Sequence, residues 1–276
     1  MMKTKIMTAH TTTSNDVMLE EIMSRIEGVE ELVASELNTY RNVSAEQENA
    51  CLTTIVIPVY NELATVARVV SRVAALPLEK EILIVDDCST DGTVEVLKKL
   101  EDIEGITLVL KSENEGKGAA LRTGFDHAKG DIIVIQDADL EYDPLEIPRL
   151  LDPILQEQAD VVYGSRFLEN TQSTSRIHRL GNGLLTKLSN LFSGLKLTDM
   201  ETCYKAFRRD VLESVEINQN RFGVEPEITA KLARRGYRFV EVPITYQPRS
   251  YAEGKKIGIK DLFKAFWCIG RYGFSD

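Results

Sequence analysis

The chain has 276 residues, 43% of them hydrophobic, and a formal net charge of −10 at pH 7. This length and apolar content suffice for one large domain with a sizeable core, and no apolar run approaches the roughly 20 residues that a membrane-spanning helix needs. The excess of acids excludes a general nucleic-acid-binding protein, because such a protein needs a basic surface.

The N-terminal segment, residues 1–50, holds nine acids and four bases, and this balance of −5 is half of the net charge. It shows no secretory signal, and the four scattered cysteines fit a reducing compartment, so the expected location is the cytoplasm. Apolar residues at helical spacing between positions 16 and 40 predict an amphipathic helix, which either packs on its own domain or pairs with a second subunit. A homo-oligomer is therefore one expectation.

From residue 51 onward, short apolar runs alternate with helical patterns. Runs at 53–60, 81–86, 106–110 and 131–135 predict strands, and the segments between them predict helices, the first opened by Asn61 and the second capped by Ser89 or Thr90. Further helices are predicted over 145–156 and 178–192, and another follows the segment 222–227 and ends at 235. Strands are predicted over 159–166 and 238–246. Right-handed crossovers then give an α/β fold with a Rossmann-like, mostly parallel sheet flanked by helices. Ligands of such sheets bind at the carboxyl ends of the strands.

Carboxylates cluster where the fourth apolar run ends. Asp137 and Asp139 are two residues apart, so in extended backbone they point the same way, and Glu141 follows if the chain stays extended. Oxygen ligands at this spacing suit Mg²⁺ or Mn²⁺, and an open coordination sphere could accept the diphosphate of a nucleotide-sugar. The alternative is a strand end with solvated acids.

Four motifs, each at a predicted strand or helix end, together resemble the family 2 glycosyltransferases with a GT-A fold. They are PVYNE (58–62), VDDCSTDGT (85–93), NEGKG (114–118) and QDAD (136–139). Their order and spacing are most similar to the branch of dolichyl-phosphate mannose synthases and polyprenyl-phosphate glycosyltransferases. The resemblance predicts an N-terminal extension over 1–50, a GT-A domain over 51–256 and a C-terminal amphipathic helix over 257–276.

The resemblance implies a nucleotide-sugar site and a metal site at the strand ends. Asp137, Asp139 and Glu141 would bind the metal, which neutralises the leaving diphosphate. For Asp87 a turn carboxylate capping residues 89–93 is an equal alternative. The residues implied to bind the nucleotide-sugar are Pro58, Tyr60, Glu62, Asp86, Asp87, Lys117, Asp137, Ala138, Arg249 and Lys255, the last two as a charge clamp in a mobile loop.

The acceptor side is predicted from basic residues after the fifth strand. Arg166, Arg176 and Arg179 could form a pocket for an acceptor phosphate, because guanidinium groups bind phosphate bidentately, although loop arginines are often merely solvated. Asp199 is the candidate base if the acceptor is a sugar hydroxyl, whereas a lipid phosphate needs none. Glu225 is expected at the donor-sugar or acceptor site. The predicted catalytic residues are Asp139, Asp199 and Arg166.

The C-terminal segment predicts an amphipathic helix from residue 259 onward. Residues 249–271 hold six bases and two acids, which makes contact with a membrane interface as plausible as packing on the core.

These features predict an inverting, metal-dependent glycosyltransferase that uses Mg²⁺ or Mn²⁺. It would move glucose or mannose from a UDP- or GDP-sugar to a polyprenyl or dolichyl phosphate at the cytoplasmic face of the membrane. One alternative is transfer to a sugar or glycan hydroxyl in cell-envelope polysaccharide synthesis. The other, from a different class, is a non-catalytic nucleotide-sugar-binding or scaffolding protein.

Overall fold

The computed structural model of the chain describes residues 51–168, 176–249 and 259–274. The predicted extension over 1–50 and Lys255 lie outside these residues, and the side chain of Arg176 is not described. Seven strands of the described part form one sheet in the order β3-β2-β1-β4-β6-β5-β7. They are β1 Thr53–Val59, β2 Lys80–Asp86, β3 Ile106–Leu110, β4 Ile132–Ile135, β5 Val161–Ser165, β6 Lys205–Arg208 and β7 Phe239–Pro243.

The α-helices of the described part cover both faces of this sheet. They are α1 Val66–Ala74, α2 Thr93–Leu100, α3 Lys117–His127, α4 Ile147–Leu155, α5 Arg176–Ser193, α6 Arg209–Glu213, α7 Val224–Arg234 and α8 Ile259–Phe274, with a 3₁₀ turn at Pro144–Glu146 before α4. One apolar layer joins the sheet to α1, α2 and α4, and a second joins it to α3, α7 and α8. The predicted α/β fold is confirmed.

The sheet is parallel at its centre and mixed at one side. β1 pairs in parallel with β2 and with β4, and its apolar run is buried as the sequence predicts. β6 is antiparallel to both β4 and β5, and it separates them. The sequence analysis assigned no strand there, because four residues reading Lys-Ala-Phe-Arg carry too little periodicity to reveal one.

Two helix starts differ from the sequence expectation. α1 begins at Val66, not at residue 61, because Asn61 takes a positive φ of 54° and turns the chain first. The predicted cap of α2 by Ser89 or Thr90 is wrong. The helix follows Gly92, which has a φ of 94°, and the Asp91 carboxylate accepts the Thr93 N–H at 3.0 Å.

Candidate active site

The candidate site lies where β1, β2 and β4 end side by side. Each strand is followed by a non-glycine residue with positive φ: Asn61 at 54°, Cys88 at 65° and Leu140 at 62°. Such backbone is disfavoured for residues with a side chain, and it is most often found at functional sites. Pro58 and Tyr60 are partly exposed at the end of β1, and Ala138 is buried.

Asp86 offers an unused acceptor at the end of β2. Its carboxylate is buried, and Oδ2 accepts the Ser89 N–H at 2.9 Å. Oδ1 has no hydrogen-bond partner among the described residues. A buried acceptor without a donor is destabilising, so this oxygen suits an N–H or O–H of a bound ligand.

Asp87, the next residue, is engaged within the chain. Its carboxylate lies 2.8 Å from Lys111 Nζ and accepts the N–H groups of Glu115 at 3.1 Å and Gly116 at 2.6 Å. The capping alternative for Asp87 therefore applies to residues 115–116 and not to residues 89–93. Its part in nucleotide binding stays a prediction, and the contacts favour a structural role in fixing the loop before α3.

The glycines of the 114–118 motif allow a close approach by the protein's own backbone. A Cβ atom on Gly118 would lie 2.1 Å from the carbonyl oxygen of Gln219, and one on Gly116 would lie 2.6 Å from that of Asn220. These glycines admit the loop that precedes α7, and this loop in turn holds the start of α3.

Replacing Gly118 by alanine should therefore destabilise the fold. Because the added Cβ meets backbone, which cannot move aside cheaply, we expect a loss of about 2–4 kcal/mol in the free energy of unfolding. Gly181→Ala is the matched control, since Gly181 also lies in a helix and a Cβ there meets nothing within 4 Å. Urea denaturation of both variants measures the effect, and equal stabilities would contradict the packing described.

Lys117 lies in a buried charged cluster beneath the strand ends. Its Nζ is 2.7 Å from Asp137 Oδ1, 3.7 Å from Glu225 Oε1 and 2.9 Å from Cys203 Sγ. Burial acts to lower the pKa of Lys117, but the acidic groups around it, Asp137 first, raise this pKa well above its usual range. Burial acts to raise the pKa of Asp137, and Lys117 outweighs it, so the pKa of Asp137 is lowered. Lys117 and Asp137 are therefore both ionised.

Glu201 lies near this cluster as a buried carboxyl group. Its Oε1 has no hydrogen-bond partner among the described residues. Burial, followed by repulsion from Glu225, raises the pKa of Glu201 to about 8. The neighbouring Lys205 is also buried, and burial lowers its pKa although Glu225 opposes the shift. The sequence analysis did not single out either residue, because nothing in the sequence around them marks their burial.

Glu201→Gln should make stability less dependent on pH. The folded pKa of Glu201 lies above its ordinary value of 4.5, so wild-type stability falls as pH rises from about 4.5 to about 8, whereas glutamine cannot ionise. We expect the variant to gain about 1–2 kcal/mol over wild type between pH 5.5 and pH 8.5. Melting temperatures at both pH values measure this, with the exposed Glu213→Gln as control. A gain that is the same at both pH values would show that Glu201 does not ionise in this range.

Arg249 joins carboxylates from two strand ends. Its Nη1 lies 2.9 Å from Glu62 Oε2, and its Nη2 lies 2.8 Å from Asp139 Oδ2. Glu141 accepts the backbone N–H of Arg249 at 2.9 Å and the hydroxyl of Tyr246 at 2.8 Å. The predicted clamp residue thus lies among Glu62, Asp139 and Glu141 and pairs with all three.

The Asp139 carboxyl is crowded by the neighbouring acids Asp137 and Glu141. Burial, together with the charges of Asp137 and Glu141, raises the pKa of Asp139 to about 7, although Arg249 opposes the shift. Acidic groups crowded to this degree favour an added cation.

The residues fit a divalent metal only in part. In the described portion of the chain, no three His, Cys, Asp or Glu side chains converge as a metal site. β4 ends at Ile135, so the alternation expected of extended backbone stops before the acids, and Asp137 faces Lys117. Asp139 and Glu141 remain together around Arg249, and their oxygens are of the type that Mg²⁺ and Mn²⁺ bind. The predicted set of three metal ligands stays a prediction. Of the three, Asp139 and Glu141 have the surroundings that best suit a metal.

Arg166 contacts the Tyr246 ring and pairs with Asp199. Its Nε and Nη2 bind the two oxygens of Asp199 at 2.7 and 2.8 Å, and its guanidinium carbon lies 4.9 Å from the centre of the Tyr246 ring. Asp199 is fully buried and also accepts the Asn182 side chain at 3.1 Å. The base role predicted for Asp199 stays a prediction, and this geometry favours a role in positioning Arg166.

The three arginines of the predicted acceptor pocket are not seen as one group. Arg179 is exposed, and its guanidinium carbon lies 5.9 Å from the centre of the Phe167 ring. That of Arg166 lies 5.7 Å from the same ring. Phe167 thus lies within reach of both. Neither Phe167 nor Tyr246 was predicted from the sequence, although Tyr246 could have been found as the aromatic residue that ends the last predicted strand.

Known proteins similar to this chain identify its family. The family model described as "Glycosyl transferase family 2" matches residues 54–216, more than half of the chain. The undecaprenyl-phosphate mannosyltransferase of Micrococcus luteus is 33% identical over 215 residues, which are 74% of this chain and 86% of that protein. The undecaprenyl-phosphate 4-deoxy-4-formamido-L-arabinose transferase of Aeromonas hydrophila is 33% identical over 74% of this chain, which spans only 62% of that protein.

Among solved structures, glucosyl-3-phosphoglycerate synthase from Mycobacterium tuberculosis, in complex with Mg²⁺ and UDP, matches with a TM-score of 0.63. It is 19% identical and covers 88% of this chain and 84% of that one, a likeness that shows the fold. The predicted GT-A fold and the predicted resemblance are confirmed. The chain therefore belongs to glycosyl transferase family 2.

Proposed function

We propose that this protein is an inverting glycosyltransferase that moves a hexose, glucose or mannose, from a UDP- or GDP-sugar to a polyprenyl phosphate at the inner face of the membrane. The observation that carries the proposal is that Tyr246 links two arginines. Its ring lies 4.9 Å from the Arg166 guanidinium carbon, and its hydroxyl donates to Glu141, which also accepts the backbone N–H of Arg249. Two guanidinium groups linked in this way suit two phosphate-bearing substrates.

The donor would bind on the Arg249 side. The free Oδ1 of Asp86 would accept an N–H of the base or a hydroxyl of the ribose. Arg249 would leave its partners Glu62 and Asp139 and contact the diphosphate, where it offsets the charge that develops on the leaving group. Asp139 and Glu141 would hold a divalent cation, whose chemistry when bound is to neutralise the same diphosphate.

The acceptor would bind on the Arg166 side. A phosphate monoester is already an anion, so one of its oxygens attacks the anomeric carbon without a base. The new carbon–oxygen bond forms as the bond to the diphosphate breaks, and a single displacement of this kind inverts the anomeric centre. A hydroxyl acceptor would need a base, and Asp199 is an unfavourable candidate because both its oxygens are held by Arg166.

The names of the relatives support the lipid acceptor. Those from Micrococcus luteus and Aeromonas hydrophila are both named as transferases that act on undecaprenyl phosphate. No described helix is long and apolar enough to cross a bilayer.

Radiolabelled UDP-glucose and GDP-mannose, each incubated with Mn²⁺ and a polyprenyl phosphate, test the proposal. We expect label from one donor to enter the organic phase, and no label with the unphosphorylated polyprenol. Label that enters only an added glycan would support the hydroxyl acceptor instead. Donor binding without transfer to any acceptor would support the non-catalytic, nucleotide-sugar-binding alternative.

A further inference from the structure

Large apolar side chains are exposed on two neighbouring helices, α5 and α8. On α5 they are Leu180, Leu184 and Leu191, and on α8 they are Phe263, Trp267 and Phe274, with exposures from 56% to 79%. Within each helix these positions are spaced by four and seven residues, which places them on one face. Exposed apolar residues usually occur singly, so a stripe on each of two helices indicates a contact surface.

The two stripes belong to one surface. Phe192 of α5 and Phe274 of α8 pack edge to face with ring centroids 5.0 Å apart. Gly273 lets the helices approach here, because a Cβ atom on it would lie 2.8 Å from Cβ of Phe192. The opposite faces of the helices are buried against the domain, through residues such as Leu185 and Ile269. The exposed faces therefore point away from the core.

The charge of this surface is opposite to that of the whole chain. Helices α5 and α8 together contain six lysines and arginines and one acid, Asp261, whereas the chain carries −10. Lys187 lies in the α5 stripe between Leu184 and Leu191, and Arg271 lies in the α8 stripe between Trp267 and Phe274, both exposed. Bases placed between large apolar side chains suit the anionic headgroups and acyl boundary of a lipid bilayer.

The surface is also continuous with the proposed acceptor site. Leu180 follows Arg179 directly, and the guanidinium carbon of Arg179 lies 5.9 Å from the Phe167 ring. That of Arg166 lies 5.7 Å from the same ring. The exposed leucines of α5 are thus connected to the site through Arg179, Phe167 and Arg166. A lipid phosphate would follow this path to the site.

We infer that the exposed stripes of α5 and α8 form a single membrane-docking surface for anionic phospholipid. The inference rests on the proposed function for its purpose, which is to bring Arg166 to an acceptor that lies in the bilayer. The sequence alone offered a membrane contact only for the C-terminal helix. The structure adds α5 as an equal part of the surface and assigns its basic residues a role beyond an acceptor pocket.

Trp267 provides a direct test, because it is the single tryptophan of the chain and lies in the α8 stripe. Vesicles of phosphatidylglycerol and phosphatidylcholine without any polyprenyl phosphate are added to the full chain. We expect its emission to move to shorter wavelength and to be quenched by brominated acyl chains, with weaker binding in vesicles of phosphatidylcholine alone. No spectral change with anionic vesicles would overturn the inference.

Variants on α5 test whether this helix takes part in membrane docking or whether α8 binds the membrane alone. The double variant Leu180→Gln and Leu184→Gln should lower vesicle affinity at least about tenfold, and Lys187→Ala about fivefold. Leu155→Gln on α4 is the control, since Leu155 is 53% exposed but lies outside the surface. If the α5 variants bind as well as wild type, α5 is not part of the surface. An emission shift that depends on protein concentration without vesicles would show that a second copy covers the surface instead.

Transfer assays test the docking surface and the proposed function separately. A short-chain polyprenyl phosphate that dissolves in water reaches the site without docking. The α5 double variant should retain transfer to it while losing transfer to vesicle-borne acceptor. Vesicle binding without transfer to either acceptor would defeat the proposed function and leave the docking surface standing. Transfer to both acceptors without vesicle binding would do the reverse.

Discussion

Asp139→Asn should lower the rate of sugar transfer by about 10²–10³-fold, the largest effect expected from one isosteric change. The amide keeps the shape of the side chain but removes the charge of one of the three carboxylates around Arg249, the others being Glu62 and Glu141. In the proposed mechanism, a cation held by Asp139 and Glu141 would neutralise the leaving diphosphate. The variant should therefore also bind Mn²⁺ more weakly in the absence of donor, as titration calorimetry or Mn²⁺ electron paramagnetic resonance measures.

Asp143→Asn provides a matched control for Asp139. Asp143 lies four residues further on, caps the turn before α4 through the Leu145 N–H at 3.1 Å, and faces Arg72 at 3.7 Å. It lies outside the group of acids around Arg249, so its variant should transfer sugar at close to the wild-type rate. If Asp139→Asn and Asp143→Asn have equal Mn²⁺ affinity and equal activity, the metal assignment of Asp139 fails.

The parallel half of the sheet could be predicted from the sequence because its signal is local. Each of β1, β2 and β4 is a continuous apolar run, and such runs report burial on both faces without any knowledge of their neighbours. β6 gave no such signal. Its four residues owe their strand conformation to pairing with β4 and β5 on both sides, which is a tertiary effect.

The charged side chains of the site could be located from the sequence, but their partners could not. Spacing correctly placed Asp137 and Asp139 at the end of β4, yet the backbone turns at Leu140, and the two acids face different cations, Lys117 and Arg249. The pairing of Arg166 with Asp199 joins residues 33 positions apart. Which carboxylate a guanidinium meets depends on how the strands are arranged, and the sequence pattern carries no record of that.

The Arg166 and Asp199 pair should show strong coupling in a double-mutant cycle. Arg166→Met leaves the fully buried Asp199 carboxylate without its main partner, so we expect a loss of about 3–5 kcal/mol in the free energy of unfolding. Asp199→Asn alone should cost less, because Arg166 is 14% exposed and partly solvated. The double variant should be about 1–3 kcal/mol more stable than the sum of the single effects predicts.

Arg238→Met is the control for that cycle, because Arg238 also makes a bidentate pair, with Asp160, but is 53% exposed. Its loss should cost clearly less stability than the loss of Arg166, because the solvent screens an exposed pair.

Activity measurements distinguish two roles for Arg166, which are binding of the acceptor phosphate and neutralisation of Asp199. If Arg166 binds the acceptor phosphate, both Arg166→Met and the double variant should lose transfer by about 10²-fold or more, even where stability is recovered. Arg166→Lys should lie between them and wild type, because lysine keeps the charge but lacks the planar fork that matches phosphate. Urea denaturation gives the stability of each variant, and initial rates at several acceptor concentrations give kcat and KM. A double variant that regains both stability and wild-type transfer would show that Arg166 serves only to neutralise Asp199.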